Sequence, residues 1–426
     1  MASAATRNKA GHRVIAVTGM GVITSLGVGK DDNWGKLTAG HSGIRRISRF
    51  PLDGLRTTIA GAVDTEYQDG MTTAEHSERM ALLACEEAIA QSGLGTKGHF
   101  PGPLFLALPP LEIEWPARIQ LAEMAGANAD TRYSHLLRVA PEFAATHGAF
   151  KFAIIGENLA EHFGTEGSPV SLNTACASGA SAIQLGMEAI RRGECDVALA
   201  IGADASLTQE SLVRFSLLSA LSTQNDPPER ASKPFSKNRD GFVLAEGAAA
   251  LVLESLEHAR ARGVRVLGIL EGYGEKSDSF HRTRTSPDGK PIIATMQKAL
   301  ADAGVAPEDI DYINAHGTST PENDKMEHLG VSAVFGERIR GIPISSNKSM
   351  IGHTLTAAGA VEAAFTVMTL QSQRLPPTIN HAIPDPTIQL DVVPNVARDA
   401  KVRRAISNSF GFGGQNLCLV VALEPA

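Results

Sequence analysis

Apolar residues in this chain come in two textures: short unbroken runs, and longer stretches in which they recur every third or fourth position. The runs predict strands covered on both faces and the periodic stretches predict helices, because a strand buried on both sides has no polar face to show. RVIAVTGMG at 13–21 predicts a strand that ends in a turn at Gly19 and Gly21. ERMALLACEEAIAQSG at 78–93 predicts a helix closed by Gly93, and SGASAIQLGMEAIRRG at 178–193 another, with Ala180, Ile183, Met187 and Ile190 on one face. VALAIGADAS at 197–206 predicts a buried parallel strand, and AAALVLESLEHARARG at 248–263 a strand followed by a helix. The theme then repeats with a strand at 265–274, a helix at 291–305, a strand and loop at 310–317 and another at 342–354. A small-residue helix at 357–371 and two strands around a glycine loop at 403–423 complete it. Alternation at this spacing predicts an α/β fold with parallel strands. The segment 101–150 departs from it: PGPLFLALPPLEIEWP is proline-rich and apolar, and 117–150 is helical without evident partners. It is expected to be a cap or interface insertion outside the core.

Composition narrows the classes of function. The 426 residues predict two or three structural units, or a duplicated one. A net charge of −7 gives no electrostatic case for nucleic-acid binding. No window approaches the ~20 apolar residues of a membrane span, and the first apolar run lacks the form of a signal sequence, so a cytoplasmic protein is expected. The four cysteines are Cys85, Cys176, Cys195 and Cys418, with no CxxC pair and no HExxH, so no metal site is predicted. The P-loop pattern is absent, and the glycines at 19 and 21 lack the third of a dinucleotide fingerprint. Glycine, at 41 residues, predicts close backbone approaches, and the 5% aromatic content is consistent with a cavity lined by aliphatic and small side chains.

Three sites carry candidate chemistry. In SLNTACASGASAIQ, Cys176 follows a short β-run and immediately precedes a helix, where free N–H groups and the positive end of the dipole favour a thiolate. Its neighbours are all small, which leaves room for a substrate. His316 in NAHGTSTPEND and His353 in SSNKSMIGHT both follow predicted strands, at the end where α/β sheets gather their chemistry, and Lys348 lies five residues before His353. Cys85 and Cys418 stand in apolar periodic settings and read as packed side chains.

The blocks NTACASG, NAHGTSTPEND, SSNKSMIGHTLTAAGAVE and NSFGFGGQN, with SKPFSKNRDGFVLAEGAA at 232–249, resemble those of β-ketoacyl-acyl carrier protein synthases, closest to the synthase II type. The resemblance runs from about Val14 to about Leu423. It implies a thiolase-like, five-layered αβαβα fold in one compact domain of two similar halves, 1–264 and 265–426, and a homodimer. It implies Cys176 as the nucleophile that receives the acyl chain, and His316 and His353 as the pair that assists decarboxylation of a malonyl thioester. Lys348 and Glu362 match residues that organise the site, and Thr318 and Thr320 match threonines that bond the phosphopantetheine arm. Phe410 matches the gating phenylalanine whose N–H, with that of Cys176, forms an oxyanion hole, with Gly411 beside it. No resident cofactor is implied, since phosphopantetheine arrives on the carrier protein.

The sequence also departs from the family. LALPPLEIEWPA replaces a glycine-rich segment, Gln415 replaces a threonine, and TTAEHSERM at 72–80 carries Glu75 and Glu78 where a basic run for carrier docking is usual. These departures favour a specialised synthase for very long or polyketide-like chains as the alternative to ordinary fatty acid elongation. A non-catalytic chain-length partner and a thiolase acting on acyl-CoA are less favoured, because Cys176 and both histidine loops are retained.

Overall fold

The computed structural model describes residues 6–95, 98–126 and 133–425. Among them the main sheet has 11 strands. The first half supplies β1 (Ile15–Thr24), β2 (Leu104–Ala107), β3 (Val170–Leu172), β4 (Val197–Asp204) and β5 (Gly247–Ser255). The second supplies β6 (Gly268–Ser277), β7 (Tyr312–Asn314), β8 (Ile344–Ser345), β9 (Arg404–Phe410) and β10 (Gln415–Ala422), and Gly27–Val28 adds a short strand beside β1.

Strand order exposes a repeat that residue identities do not show. The path runs β8-β7-β9-β10-β6-β1-β5-β4-β2-β3, so each half has the order third, second, fourth, fifth, first. In both halves the second strand pairs parallel with the third and fourth, and the remaining pairs are antiparallel. The sheet is therefore mixed, and β4 is parallel on one side only. The halves join where Ile15–Val17 of β1 pairs with Gly268–Leu270 of β6.

Helices complete five layers. α1 (Thr73–Ser92) covers the outer face of the first half-sheet, and α3 (Lys290–Ala303) with α4 (Pro321–Phe335) covers that of the second. α2 (Ser178–Arg191) and α5 (Ala358–Ser372) fill the space between the half-sheets. Every α5 residue from Ala358 to Leu370 is buried; most are apolar, and the polar ones are partnered, Glu362 by Lys348 and Thr366 and Thr369 by carbonyls of the preceding turn. α2 and α5 cross through reciprocal glycines: a Cβ on Gly179 would stand 2.5 Å from the Ala360 nitrogen, and one on Gly359 2.5 Å from the Ala180 nitrogen.

Gly19 and Gly21 do not form a turn. β1 continues through them with a bulge near Thr18, and Cβ atoms at these positions would fall 2.0 Å from the carbonyl oxygens of Ala88 and Ala84 on α1. The glycines let a helix lie directly on the strand. Gly272 and Gly274 of β6 have the same relation to α3. The expected cap at 101–150 is also only partly one: β2 lies inside the sheet between β4 and β3, with Leu104, Leu106 and Ala107 fully buried. The helix Trp115–Met124 buries none of its residues and keeps the cap-like character. No helix among the described residues is long and apolar enough to cross a membrane.

Candidate active site

Cys176 sits in a tight turn between β3 and α2. Ala175 before it adopts the left-handed backbone region, with φ 51°, which a side chain tolerates only when its surroundings hold it there. Ser178 holds the turn from both ends, its Oγ accepting from the Thr174 N–H at 2.8 Å and donating to the Ala175 carbonyl at 2.5 Å. The sulfur is thereby presented just ahead of the N-terminus of α2. The thiolate expected from that position is opposed by burial, which pushes the Cys176 thiol up to about 11, with the Phe412 N–H and Lys348 acting in the other direction. At pH 7 Cys176 is therefore a thiol.

The histidine loops meet in front of this turn. The rings of His316 and His353 lie edge to face with centroids 5.4 Å apart, and each is 2% exposed. Their tautomers follow from their neighbours. The Leu355 N–H donates to His353 Nδ1 at 3.2 Å, and Lys348 Nζ, an ammonium with no lone pair, lies 3.4 Å from His316 Nδ1. Both Nδ1 atoms are acceptors, which leaves the proton of each neutral ring on Nε2. Burial, reinforced by Lys348, holds both imidazoles well below the ordinary histidine range, so both are neutral at pH 7.

Lys348 is itself buried and fully engaged. It also donates to the His316 carbonyl at 2.7 Å and forms a short ion pair with Glu362 on α5. Burial raises the Glu362 carboxyl to about 7 against the pull of Lys348. Backbone bonds fix the other histidine: the His353 N–H donates to the Val243 carbonyl at 2.8 Å, and the Ala245 N–H to the His353 carbonyl at 3.0 Å.

Cys176, His316 and His353 line one cleft of about 890 Å³, together with Thr318, Thr320, Phe410 and Gly411, whereas Lys348 and Glu362 are buried outside its lining. The hydroxyls of Thr318 and Thr320 are 2.9 Å apart, and Thr320 also caps α4 by accepting from the Asn323 N–H. The lining is less aliphatic than the composition suggests. Phe215, Phe242, Phe410 and Phe412 contribute rings, and Asp204, Ser206 and Thr208 contribute polar atoms.

The phenylalanine assignment needs correction. The backbone N–H directed at the Cys176 sulfur belongs to Phe412, whereas Phe410 ends β9, pairs with Asn416 on β10, and turns its ring toward His316 at 5.8 Å. The two phenylalanines of SFGFGG stand two residues apart, and the strand-to-loop transition after Phe410 decides which one faces the sulfur. Gly411 is required by proximity: a Cβ there would lie 2.9 Å from the Thr174 carbonyl and 3.3 Å from the Cys176 nitrogen. Gly413 and Gly414 are the ones with left-handed φ, at 82° and 84°.

Glu327 escaped the sequence reading. Its buried carboxylate accepts from the N–H groups of His316 and Gly317 at 2.9 and 2.8 Å, and from Asn408 at 3.2 Å, fixing the first histidine loop. Thr320 followed by Pro321 is a helix-start signal, and reading it would have placed Glu327 on α4 behind that loop. Asp204, fully buried at the end of β4, likewise accepts from Thr356 through both its N–H and its hydroxyl, at 3.0 and 2.6 Å.

Comparison with known proteins agrees with this construction. Residues 12–259 match the model of the β-ketoacyl synthase N-terminal domain, and residues 267–382 that of the C-terminal domain. A putative polyketide β-ketoacyl synthase 1 of Streptomyces cyaneus is 36% identical over 94% of this chain and 96% of its own length. A 3-oxoacyl-[acyl-carrier-protein] synthase 2 of Coxiella burnetii is 36% identical over 96% and 98%. A ketosynthase of a type II polyketide synthase, solved in complex with its acyl-carrier protein, superposes with a TM-score of 0.85 at 32% identity, covering 96% of this chain and 99% of that one. A β-ketoacyl synthase from Burkholderia phymatum gives 0.81 at 32% identity, covering 96% and 99%. With both halves matched and nearly the whole length shared, the chain belongs to the β-ketoacyl synthase family of acyl-transferring condensing enzymes.

Proposed function

We propose that this enzyme lengthens an acyl chain carried on Cys176 by decarboxylative condensation with a malonyl group on an acyl carrier protein, as in fatty acid elongation. The observation that carries the reading is the pair of neutral imidazoles, each with its Nε2–H free, in the same cleft as a cysteine at a helix N-terminus. The carrier protein as partner is supported by the names of the synthase 2 relatives and by the solved complex.

In the first step the Cys176 sulfur attacks the acyl thioester. The carbonyl oxygen takes up negative charge and receives the N–H groups of Cys176 and Phe412, a donor pair of the kind worth roughly 2.7–4 kcal/mol per bond. The carrier thiol leaves, and the proton lost by Cys176 finishes on it. The malonyl thioester then enters past Thr318 and Thr320. Its carboxylate departs as CO2, and the electron pair moves onto the thioester oxygen as an enolate, which accepts from the Nε2–H groups of His316 and His353. The enolate carbon attacks the Cys176 thioester, and the new β-ketoacyl chain leaves on its carrier as Cys176 regains a proton. Lys348, paired with Glu362, holds the tautomer of His316. No resident cofactor enters this scheme.

The test is a condensation assay on Cys176→Ala with intact-protein mass spectrometry. The variant is expected to fold, to take up no acyl mass and to form no product; wild-type turnover would remove the mechanism. A second reading, specialisation for unusually long chains, is supported by the apolar lining of the cleft, which reaches the surface-exposed Leu217. That lining includes Phe215, Leu218 and Leu217, the last 81% exposed. Primers of graded length decide between the readings: the long-chain reading expects kcat/KM to keep rising beyond ordinary fatty acyl lengths.

A homodimer is part of the proposal. β3 is an edge strand with Val170 exposed, and Trp115, Ile119, Val213 and Leu217 present apolar surface on the same half. Sedimentation at micromolar concentration should give twice the chain mass. Cytoplasmic residence is likewise proposed, and fractionation of cells producing the protein tests it.

A further inference from the structure

A second cavity, of about 540 Å³, lies apart from the condensing cleft and shares none of its lining residues. Gln224, Asp226, Arg230, Lys233, Asn238 and Asn395 line it. Lys233 is its unusual member. The residue is only 4% exposed, yet its Nζ bonds a neutral group, the side-chain oxygen of Gln224, and forms no ion pair with a carboxylate among the described residues. Asp240 is the charge that acts on it from a distance, and that carboxylate is occupied by the Ser222 hydroxyl at 2.7 Å and the Thr223 N–H at 3.0 Å.

A buried ammonium satisfied by one amide is costly, because desolvation is not repaid by an opposite charge. Burial accordingly holds the Lys233 ammonium below its ordinary range, with Asp240 opposing. Arg230, exposed on the same rim, makes no side-chain hydrogen bond or ion pair among the described residues, and Asp226 pairs with neither cation. With two cations against the one carboxylate of Asp226, the lining is net positive, while its amides are largely engaged: Gln224 donates to the Asn238 carbonyl, Asn380 to those of Glu229 and Ser232, and Asn395 to that of His381. Its wall is stiff: the Lys233 N–H donates to Ser319 Oγ at 3.0 Å, and Asn380 donates to the Ser232 carbonyl at 2.8 Å.

We propose that this cavity binds a small phosphate-bearing anion, gripped by Lys233 from within and Arg230 from the rim. A tetrahedral oxyanion accepts from several directions at once, which suits one ammonium and one guanidinium fork. The volume leaves room for a substituent, so free phosphate and a phosphate monoester share the chemistry. The Ser232 hydroxyl donates to the Lys348 carbonyl at 2.7 Å and the Lys233 N–H to Ser319, which lies between Thr318 and Thr320, so the segment that carries Lys233 is bonded directly to the catalytic loops.

Calorimetric titration of the full-length protein with inorganic phosphate, and separately with glycerol 3-phosphate, tests the proposal. Saturable one-to-one binding of either is expected; tighter binding of the ester identifies the monoester as the ligand type, and equal binding identifies phosphate itself. Lys233→Gln and Arg230→Gln should each weaken binding by about tenfold or more, while Lys233→Arg should retain it. Arg230 is exposed, so its variant reports even if Lys233→Gln fails to fold. Absence of saturable binding, or binding that survives both glutamine variants and is lost in Arg282→Gln at the condensing cleft, overturns the site.

Discussion

At the scale of single residues, the site depends on contacts that place atoms more than on unusual side chains. Gly411→Ala tests this, because its Cβ would press on the Thr174 carbonyl and the Cys176 nitrogen. Acylation should slow by about 100-fold, the usual result of a misplacement near 1 Å, with little loss of thermal stability. The histidines give a pH prediction. Both have folded-state pKa values lowered by burial, so as pH falls through the ordinary value of 6.5 the unfolded chain takes up protons that the folded chain refuses. Folded stability therefore falls below pH 6.5, partly offset by Glu362, whose raised pKa favours the folded state as pH drops from about 7 toward 4.5. Melting curves at about pH 5 and pH 7 should show a smaller acid loss for His353→Gln than for wild type. Cys176, His316, His353 and Lys348 were legible in the sequence because each sits in a motif block with fixed neighbours. Phe412 was not, since two identical residues two apart differ only in where β9 releases the chain. Glu327 was readable only indirectly: the helix start at Thr320–Pro321 places it on α4, but two of its three partners are backbone N–H groups, which the sequence does not display.

At the scale of elements, strand and helix type could be read from hydrophobic texture, whereas the reason for the glycines could not. Gly21 looks like a turn residue in one dimension and proves to be a seat for α1 in three. Gly21→Ala should cost about 3 kcal/mol, since its Cβ meets a backbone oxygen that cannot withdraw without moving α1. Gly35 is the contrasting case. It lies in the helix Lys30–Thr38 with no atom within 4 Å of a built Cβ, so Gly35→Ala should stabilise by about 0.4–1 kcal/mol. Chemical denaturation of the two variants checks both signs. β2 was misjudged for a related reason: a run of four residues flanked by prolines has too little length to declare a strand, and only its neighbours β4 and β3 give it that role.

At the scale of the molecule, the repeated strand order and the reciprocal glycines of α2 and α5 make the two halves mutually dependent. Separately produced fragments, divided after residue 264, are expected to remain unfolded or aggregate, and to recover a cooperative melt only when produced together. Circular dichroism and limited proteolysis measure this, and an independently folded first half would contradict it. The sequence showed the repeat as a recurring strand and helix texture but not in residue identities, because what the halves share is strand order and glycine placement. The α2–α5 crossing also has a consequence in time. During synthesis, the face of α2 that belongs against Ala360 must wait for some 180 further residues, on the order of 10–40 s at ordinary translation rates. Over that interval the ribosome displays an apolar surface with no partner yet made, so the yield of this protein in a cell should depend on chaperone supply more steeply than its final stability suggests.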